Sequence, residues 1–542
     1  MRARRYPYFL LKCGGALALV VLADRLFWAS GGVGSNIGVF AASLLLVLVG
    51  VSPSIRRDRL AQGAVALAGL FCLALGYDPG MLTWTLFWSA ISVAVLLPRA
   101  AYFGNTADWL VRLFAQSIVS IIGPWRDLAR LRHVRSTNRL LGLRGILPLL
   151  PLPLMGGSIF LAMFAVANPV IADAFEKLQL PELQAFRVIL WLVVTTVVWS
   201  VLRPRRLRWR AHLRSPTAGP VKLPGVSVGS VTLSLIAFNA LFALQNGLDL
   251  AFLWSGAGLP DGLTLAAYAH RGAYPLIATA LLAGVFVLLT LRPGSDTAAV
   301  PLIRRLVVLW VGQNIFLVAS SVLRTLDYVE AYSLTRLRVA ALLWMALVAV
   351  GLSLILWRML STKSATWLVN TNTLAVGIVL TACTLVDSGS VAASWNVHHA
   401  REVGGKGATL DLCYLSGLGP SALVSLVELE SRLPTDPAFA DRVASVRASI
   451  LNDVVRDQQN GFWTWRNAYR LDRVGELVRQ MPQGLTRPAD SQFGRNCDGS
   501  VHFPPVVEPA AVEPRATEAG SETEVSANAA NSAATLTPGN AR

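Results

Sequence analysis

The chain has 542 residues, of which 54% are apolar and only 15% are charged. A globular protein carries about a quarter charged residues, so this composition excludes a water-soluble enzyme, a disordered chain and a fibrous repeat. The remaining class is a polytopic membrane protein, and we predict an all-α bundle of transmembrane helices.

The net charge of +17 belongs to the apolar part of the chain. Residues 388–542 carry 14 basic and 17 acidic side chains, so the positive excess lies within residues 1–387. Basic loop residues in a membrane protein set its orientation, and the sequence has no zinc-finger, RNA-binding or helix-turn-helix signature. We therefore expect the lipid bilayer, and no nucleic acid, as its partner.

Eleven apolar segments approach the roughly 20 residues that a helix needs to cross a bilayer. The first is interrupted by Lys12 and competes with a signal peptide, but no small-x-small cleavage site follows it. We predict about 11 transmembrane helices, four in residues 1–98 and seven in the core at residues 146–387. The segments lie near 8–27, 35–52, 60–76, 82–98, 146–167, 187–202, 228–254, 272–291, 303–323, 339–358 and 366–386.

Basic residues alternate from loop to loop along these spans. One set of loops carries 26 basic residues against four acidic ones, and the opposite set carries only seven basic residues. The positive-inside rule then predicts a cytoplasmic N-terminus and an extracytoplasmic (periplasmic) C-terminus. Only five of the 48 basic residues are lysine, which is typical of a GC-rich genome, so we expect the inner membrane of a bacterium.

Residues 99–145 form a basic cytoplasmic segment in this topology. The stretch around 110–125 is apolar enough to compete as a span, but a span there would reverse every later loop. We predict instead a helix lying on the cytoplasmic face of the membrane, with Arg112, Gln116 and Ser120 on its polar side.

Hydropathy falls after Asp387. We predict a small extracytoplasmic segment of short amphipathic helices over residues 388–503, with the leucines of 410–429 on its apolar side. Residues 504–542 are rich in Ala, Glu, Pro, Thr and Ser, which predicts a disordered tail. Cys413 and Cys497 could form a disulfide in an oxidising compartment, but their spacing leaves the geometry open.

Polar side chains form stripes on two predicted spans. In the ninth, Gln313, Arg324 and Asp327 fall within about 60° of one another, together with Ser320. In the seventh, Asn239, Asn246 and Asp249 fall within about 80°. Both helices run outward, so Asp249 and Arg324 should lie at similar depth.

These stripes and the loops beside them predict an outward-facing polar cavity, because ionisable residues inside a membrane usually serve a function. The structural alternative is that the amides join helices and that the arginines at 336 and 338 merely end a helix. The candidate ligand-binding residues are Asn246, Asp249, His270, Arg271, Gln313, Asn314, Ser320, Arg324, Asp327, Glu330, Arg336 and Arg338.

The sequence predicts no metal, cofactor or catalytic site. His398 and His399 are adjacent, unlike the i, i+4 pair that one ion needs on a helix, and His502 is distant in sequence. No H-E-x-x-H or G-K-[ST] pattern occurs.

Five segments of the apolar part are distinctive: G-L-R-G-I-L-P-L-L-P-L (142–152), A-V-A-N-P-V (165–170), G-L-T-L-A-A-Y-A-H-R-G-A-Y-P-L-I (262–277), W-V-G-Q-N through S-S-V-L-R (310–324) and Y-V-E-A-Y-S-L-T-R-L-R-V-A-A-L-L-W-M (328–345). They resemble a group of uncharacterised bacterial membrane proteins, domain of unknown function 4173, which is related to the 4153 group. W-N-V-H-H-A-R-E and L-D-L-C-Y-L are similar too. The resemblance covers about 140–430, has Asn168 where the family usually has Asp, and implies a membrane fold without an activity.

Three functions remain open from the sequence. The first is a non-enzymatic envelope protein that binds or senses a small molecule or an envelope protein partner at the polar cavity. The second is a secondary transporter, coupled to protons through Asp249, although no inverted repeat is visible. The third is a membrane-embedded transferase for a lipid-linked substrate, with His270 or Asp327 as general base.

Overall fold

A computed structural model describes residues 6–29, 31–100, 104–131, 185–204, 227–254, 300–361, 363–432, 436–482, 484–490 and 494–502, with single positions at 157, 163, 278, 282 and 286. The predicted fifth span at 146–167 and eighth span at 272–291 lie outside the described residues, apart from those single positions. The predicted tail at 504–542 and most of the basic stretch at 132–145 also lie outside them.

The described residues form helices, with one isolated β-bridge between Arg495 and Val501. The helices are α1 (Tyr6–Ala23), α2 (Asn36–Val51), α3 (Arg59–Tyr77), α4 (Met81–Leu96), α5 (Thr106–Leu131), α6 (Ala185–Leu202), α7 (Val228–Asp249), α8 (Pro301–Tyr332), α9 (Arg336–Leu360), α10 (Ala365–Leu385), α11 (Ser388–His399), α12 (Leu412–Leu418), α13 (Leu423–Glu430), α14 (Pro437–Gln459) and α15 (Trp465–Gln480).

Eight helical segments in the described part of the chain are long and apolar enough to cross a membrane. Seven coincide with predicted spans, which confirms an all-helical membrane protein, whereas the predicted count of about 11 is not confirmed. α1 is not among the eight, and α2 is a shorter apolar helix. The eight are Arg59–Tyr77, Met81–Arg99, Ala185–Leu202, Val228–Asp249, Pro301–Tyr332, Arg336–Leu360, Ala365–Leu385 and Leu412–Glu430.

The eighth segment, Leu412–Glu430, falls where the sequence predicted extramembrane helices. It is two helices, α12 and α13, separated by a 3-10 turn at Gly419–Ala422, and 56% of its apolar window is buried. Its leucines pack against Val443 and Ile450 of the polar helix α14 and against Val474 of α15. Its hydropathy is therefore that of the core of a small helical domain, which we call the C-terminal domain (residues 388–502).

The spanning helices pack into two hydrophobic clusters. α1 to α4 and α6 share one cluster, in which Gly38 of α2 approaches α3 so closely that a Cβ would lie 2.4 Å from the Gly76 nitrogen. α7, α8 and α9 share another, centred on Trp310. At one end of α1, Asp24 accepts hydrogen bonds of 2.7 Å from both Nε and Nη2 of Arg187, which joins α1 to α6.

The loops that were predicted to be extracytoplasmic lie at one end of the bundle. The C-terminal domain packs against the same end. The Ser35 amide donates to the Trp463 carbonyl at 2.8 Å, and Asp78 pairs with Arg466 at 2.7 Å. We call this the domain end.

Loops that the sequence places inside meet at the opposite end, which we call the basic end. There the ammonium of Lys12 donates to the Leu202 carbonyl at 2.6 Å, and Arg203 pairs with Asp127 at 3.2 Å. Lys12, which interrupts the first predicted span, is thus held at a helix terminus.

The helix α5 lies across the basic end. Near its start, the Thr106 hydroxyl donates to Asn370 of α10 at 2.6 Å, and near its end Asp127 pairs with Arg203. A helix with both termini at one end of the bundle does not span it. Gln116 is buried towards the bundle, and the exposed side of α5 carries Leu110, Phe114 and Ile121 together with Arg112.

Candidate functional site

The two polar stripes meet in a buried ion pair. The guanidinium of Arg324 on α8 donates to Oδ1 of Asp249 on α7, and the two side chains are 6% and 0% exposed. Gln245 donates to the same carboxylate oxygen at 3.0 Å. The equal depth predicted from helix periodicity therefore corresponds to a direct contact.

Amide side chains continue this contact along the same two helices. Asn239 donates to the Leu306 carbonyl at 3.1 Å and accepts from Gln313 at 3.3 Å, while Asn246 donates to the Gln313 carbonyl at 3.2 Å. Asn314 is fully buried and donates to the carbonyl one turn earlier on its own helix. These bonds hold α7 against α8, so the structural interpretation fits the amides at 246, 313 and 314.

Ser320 also serves this contact. It is fully buried and accepts a hydrogen bond of 3.3 Å from the indole of Trp254, which stacks on Phe316 at 5.5 Å. Ser320 therefore anchors the turn after α7 to α8.

A cavity of about 360 Å³ lies where α8 emerges at the domain end, and we call it the outer cavity. Asp327 and Glu330 of α8 form one side of it, one helical turn beyond the buried ion pair. The other side comes from α11 and the loop that follows it. Its main polar and aromatic lining is Asp327, Glu330, Trp395, Asn396, His399 and Lys406.

Local backbone geometry shapes the outer cavity. Ser333, which ends α8, has a positive φ of 68° and turns the chain sharply. Asn396 then bonds both backbone groups of Leu334, accepting from its nitrogen at 2.7 Å and donating to its carbonyl at 2.9 Å. In the lining loop, a Cβ on Gly405 would lie 2.3 Å from the His399 carbonyl oxygen, so this close approach requires glycine.

The outer cavity carries both signs of charge on different elements. The carboxylates of Asp327 and Glu330 lie three residues apart on α8, which places them on one helical face. Lys406 lies on the loop after α11, and the rings of Trp395 and His399 stack at 3.9 Å between their centroids. This arrangement can pair with a small molecule that carries separate positive and negative groups.

Arg336 and Arg338 lie outside the lining of the outer cavity. Arg338 donates to the carbonyls of Tyr332 and Ser333 and lies over the ring of Tyr328 at 4.3 Å, where it caps the end of α8. Arg336 donates to Ser421 of the C-terminal domain at 3.0 Å. Both cations satisfy a helix end or a domain contact. His270 and Arg271 lie outside the described residues.

Sequence reasoning missed Trp395, Asn396, His399 and Lys406. The run W-N-V-H-H was considered as a family-like motif and, through its two histidines, for metal binding, although Trp395 and His399 have the i, i+4 spacing of neighbours on one helical face. Their contact with α8 depends on how the C-terminal domain docks, which no local pattern reports.

A polar network fixes that docking. Asp387 accepts from Ser421 at 3.2 Å and pairs with Arg470 at 2.5 Å, and Ser421 also receives Arg336. Burial alone would raise the pKa of Asp387, but the hydrogen bond from Ser421, the charge of Arg470 and the Ser390 amide outweigh it and lower that pKa. The carboxylate is therefore held ionised beneath the domain.

A disulfide and an ion pair join separate elements within the C-terminal domain. Cys413 and Cys497, the pair for which the sequence allowed a disulfide, are bonded across 84 residues with their Cα atoms 4.8 Å apart. Arg495 nearby pairs with Asp441 at 2.7 Å. The hydrogen bond from Arg495 is the main cause of the lowered pKa of Asp441, against the opposing effect of burial.

The sequence model of a family described as "Domain of unknown function (DUF4153)" matches residues 44–429, well over half of the chain. The chain belongs to the DUF4153 family. The match is to the 4153 group and not to the related 4173 group named from the motifs, and it begins in α2, about a hundred residues before the motif resemblance. No curated protein and no solved structure matches the chain.

The DUF4153 match includes every residue of the outer cavity and the buried ion pair. It ends at residue 429, within α13, so α14 and α15 lie beyond it. The site thus belongs to the part of the chain that defines the family, whose function is unknown.

Proposed function

We propose that this DUF4153 protein is a non-enzymatic envelope protein of the bacterial inner membrane that binds a small zwitterion in its outer cavity. The N-terminus faces the cytoplasm in this proposal, and the C-terminal domain faces the periplasm. The loop-charge asymmetry supports that orientation, because the basic end carries the excess of Lys and Arg. The observation that carries the proposal is the cavity itself, built jointly by a spanning helix and an extramembrane helix.

The length of α8 supports an outward position of the cavity. Its 32 residues extend about 48 Å, against a hydrocarbon core of about 30 Å. With Pro301 near the basic end, the last turns, which carry Asp327 and Glu330, project beyond the core. A soluble ligand would therefore reach the carboxylates without crossing lipid.

The ligand class follows from the lining. Two carboxylates favour a cationic group, and an exposed Trp395 ring face can add a cation–π contribution. Lys406 on a separate element favours an anionic group at the other end of the ligand. The volume of about 360 Å³ lies at the low end of small-molecule sites, so the ligand has few heavy atoms.

The buried ion pair offers a route from binding to a response. Arg324 precedes Asp327 by three residues on the same rigid helix and pairs with Asp249 of α7. A ligand that binds Asp327 and Glu330 would shift α8 and so strain its contact with α7. This is the sensing form of the proposal.

A four-carbon ligand series tests the proposal. The purified full-length chain is titrated with γ-aminobutyrate, with butane-1,4-diamine and with succinate, which share a chain but differ in end charges, and thermal stability is followed. We expect stabilisation in the order γ-aminobutyrate, diamine, succinate. The double variant Asp327→Asn with Glu330→Gln should weaken γ-aminobutyrate binding about tenfold or more, because charge-assisted bonds are lost.

The matched control is Asp453→Asn, at an exposed helical carboxylate far from the cavity. It should leave γ-aminobutyrate binding unchanged. Stabilisation by none of the three compounds, or equal stabilisation of the double variant, would overturn the proposal.

A second candidate, the secondary transporter, is favoured by the burial of Asp249. A carboxylate with no exposed surface, paired inside a bundle, is a common element of proton pathways. Proteoliposomes would be loaded under a proton gradient, and uptake of γ-aminobutyrate would be compared between the native chain and Asp249→Asn. Gradient-dependent uptake that is lost in the variant at equal folded protein would favour transport over sensing.

A further inference from the structure

A second cavity of about 240 Å³ lies in the half of the bundle nearer the basic end, between α4, α5 and α6, and we call it the inner cavity. It runs from the level of Val95 and Val201, near the helix ends, to Trp88, about 10 Å deeper along α4. It shares no residue with the outer cavity, and the function proposed above does not use it.

The polar lining of the inner cavity carries no charge. Besides the indole of Trp88, its polar groups are hydroxyls and one amide, set among valine side chains, and they belong to all three helices. These residues are Ser92, Gln116, Ser117, Ser120, Thr196 and Ser200. A phosphate or carboxylate inside this uncharged, lipid-level lining would pay a high desolvation cost, so the occupant is neutral.

Four of the five hydroxyl protons are already engaged within the helices. Ser117 donates to the Leu113 carbonyl at 2.9 Å and Ser120 to the Gln116 carbonyl at 2.7 Å. Thr196 donates to the Leu192 carbonyl at 2.8 Å. Ser200 donates at 2.7 Å in the same manner. Since a hydroxyl has a single proton, these groups offer only oxygen lone pairs to the cavity.

Gln116 provides a further acceptor and points to a missing partner. The residue is 7% exposed, and its Nε2 donates to Ser120 at 3.4 Å. Its Oε1 is buried and accepts no hydrogen bond from any described residue. A buried acceptor normally has a donor, so this oxygen marks where a ligand donor fits.

We propose that the inner cavity binds the free hydroxyl group of a neutral membrane lipid, of the chemical class of diacylglycerol. The hydroxyl would donate to Gln116 Oε1, and its acyl chains would run along the exposed apolar side of α5 at Phe114 and Ile121. A lipid is favoured as the carrier of this hydroxyl group, because the exposed apolar side of α5 lies directly beside Ser117. Ser117 is itself exposed.

Two lipids that differ by one donor test this inference. The full-length chain in nanodiscs is exposed to 1,2-dioleoylglycerol or to its 3-acetyl ester, and binding is measured by native mass spectrometry. We expect the alcohol to bind and the ester, which lacks the proton, to bind at least about fivefold more weakly. Equal binding of both lipids would overturn the proposal, because it would indicate adventitious adsorption only.

Threonine variants locate the site. Thr196→Val removes a cavity oxygen while keeping the shape of the side chain, and Gln116→Leu removes the amide. The matched control is Thr373→Val, because Thr373 makes the same bond to its own helix but is exposed on α10. Both cavity variants should weaken binding of the alcohol and the control should not. Unchanged binding in folded Thr196→Val and Gln116→Leu protein would overturn the assignment.

Free glycerol distinguishes the source of the hydroxyl. If glycerol displaces the diacylglycerol from the native chain but not from Thr196→Val, the site recognises the hydroxyl group whatever carries it. If glycerol binds tightly and the lipid does not bind, the lipid source is wrong.

Discussion

Asn396 of the C-terminal domain forms a reciprocal pair of hydrogen bonds with the backbone of Leu334, at 2.7 and 2.9 Å. Both residues are buried, and Leu334 lies in the turn that joins two spanning helices. One side chain thus replaces the hydrogen bonds of a backbone partner and fixes α11 against the bundle. The outer cavity exists because of this junction.

Replacing Asn396 with leucine should open that junction. Asn396→Leu leaves a buried N–H and a buried carbonyl of Leu334 without partners, which costs about 2 kcal/mol or more. Thermal unfolding of the purified chain measures the loss, with Asn460→Leu at an exposed position as the control. An unfolding midpoint equal to that of the control would show that the bonds contribute nothing.

The Asp249–Arg324 pair should be strongly coupled. Either Asp249→Leu or Arg324→Leu alone leaves a buried charge without its partner and should destabilise the chain by about 3–5 kcal/mol. The double variant removes both charges and should recover much of that loss. Stabilities from a double-mutant cycle give the coupling, and additive effects of the two substitutions would contradict a direct pair.

Acid should weaken the docking of the C-terminal domain. Asp387 and Asp441 have folded pKa values below their ordinary value, so their contribution is complete above the unfolded pKa of about 3.9 and is lost as pH falls through the folded pKa. Thermal stability should therefore fall below about pH 4. Asp387→Asn should reduce this loss of thermal stability at low pH, whereas Asp457→Asn, at an exposed position, should not. An identical pH profile in both variants would contradict the role of Asp387.

Reduction of the Cys413–Cys497 bond should destabilise the C-terminal domain. The bond closes a loop of 84 residues, and releasing a loop of that length costs about 2–4 kcal/mol. Protease sensitivity of residues 413–497 with and without reductant measures the effect. Cys383→Ser, at an exposed free cysteine, is the control. Equal protease sensitivity with and without reductant would mean that the helical core alone holds the domain.

Composition and periodicity predicted the parts of this molecule that depend on local pattern. Seven spans and the approach of Asp249 to Arg324 follow from hydropathy and from the angular spacing of polar residues. The exposed side of α5 could not be predicted that way, because an amphipathic helix looks the same whether its polar face meets water or protein.

The outer cavity could be predicted only on the side that α8 supplies. Asp327 belongs to the predicted periodic stripe and Glu330 to the segment predicted beside it, whereas His399 and Lys406 reach the cavity through the docking of a domain. A cation at a helix start, such as Arg336 or Arg338, can serve a ligand or a neighbouring helix end, and the local sequence does not distinguish these roles. Contacts distant in sequence, to Ser421 and to the Tyr332 carbonyl, decide between these roles.

Labelling of a cysteine in the outer cavity tests the central claim most directly. Ala408→Cys places a thiol in the cavity lining, and a membrane-impermeant maleimide is applied to intact cells with and without γ-aminobutyrate. We predict labelling from outside that γ-aminobutyrate slows, and no labelling of Ser361→Cys at the basic end until the cells are permeabilised. Labelling of Ala408→Cys only after permeabilisation, or at a rate that γ-aminobutyrate does not change, would contradict the account.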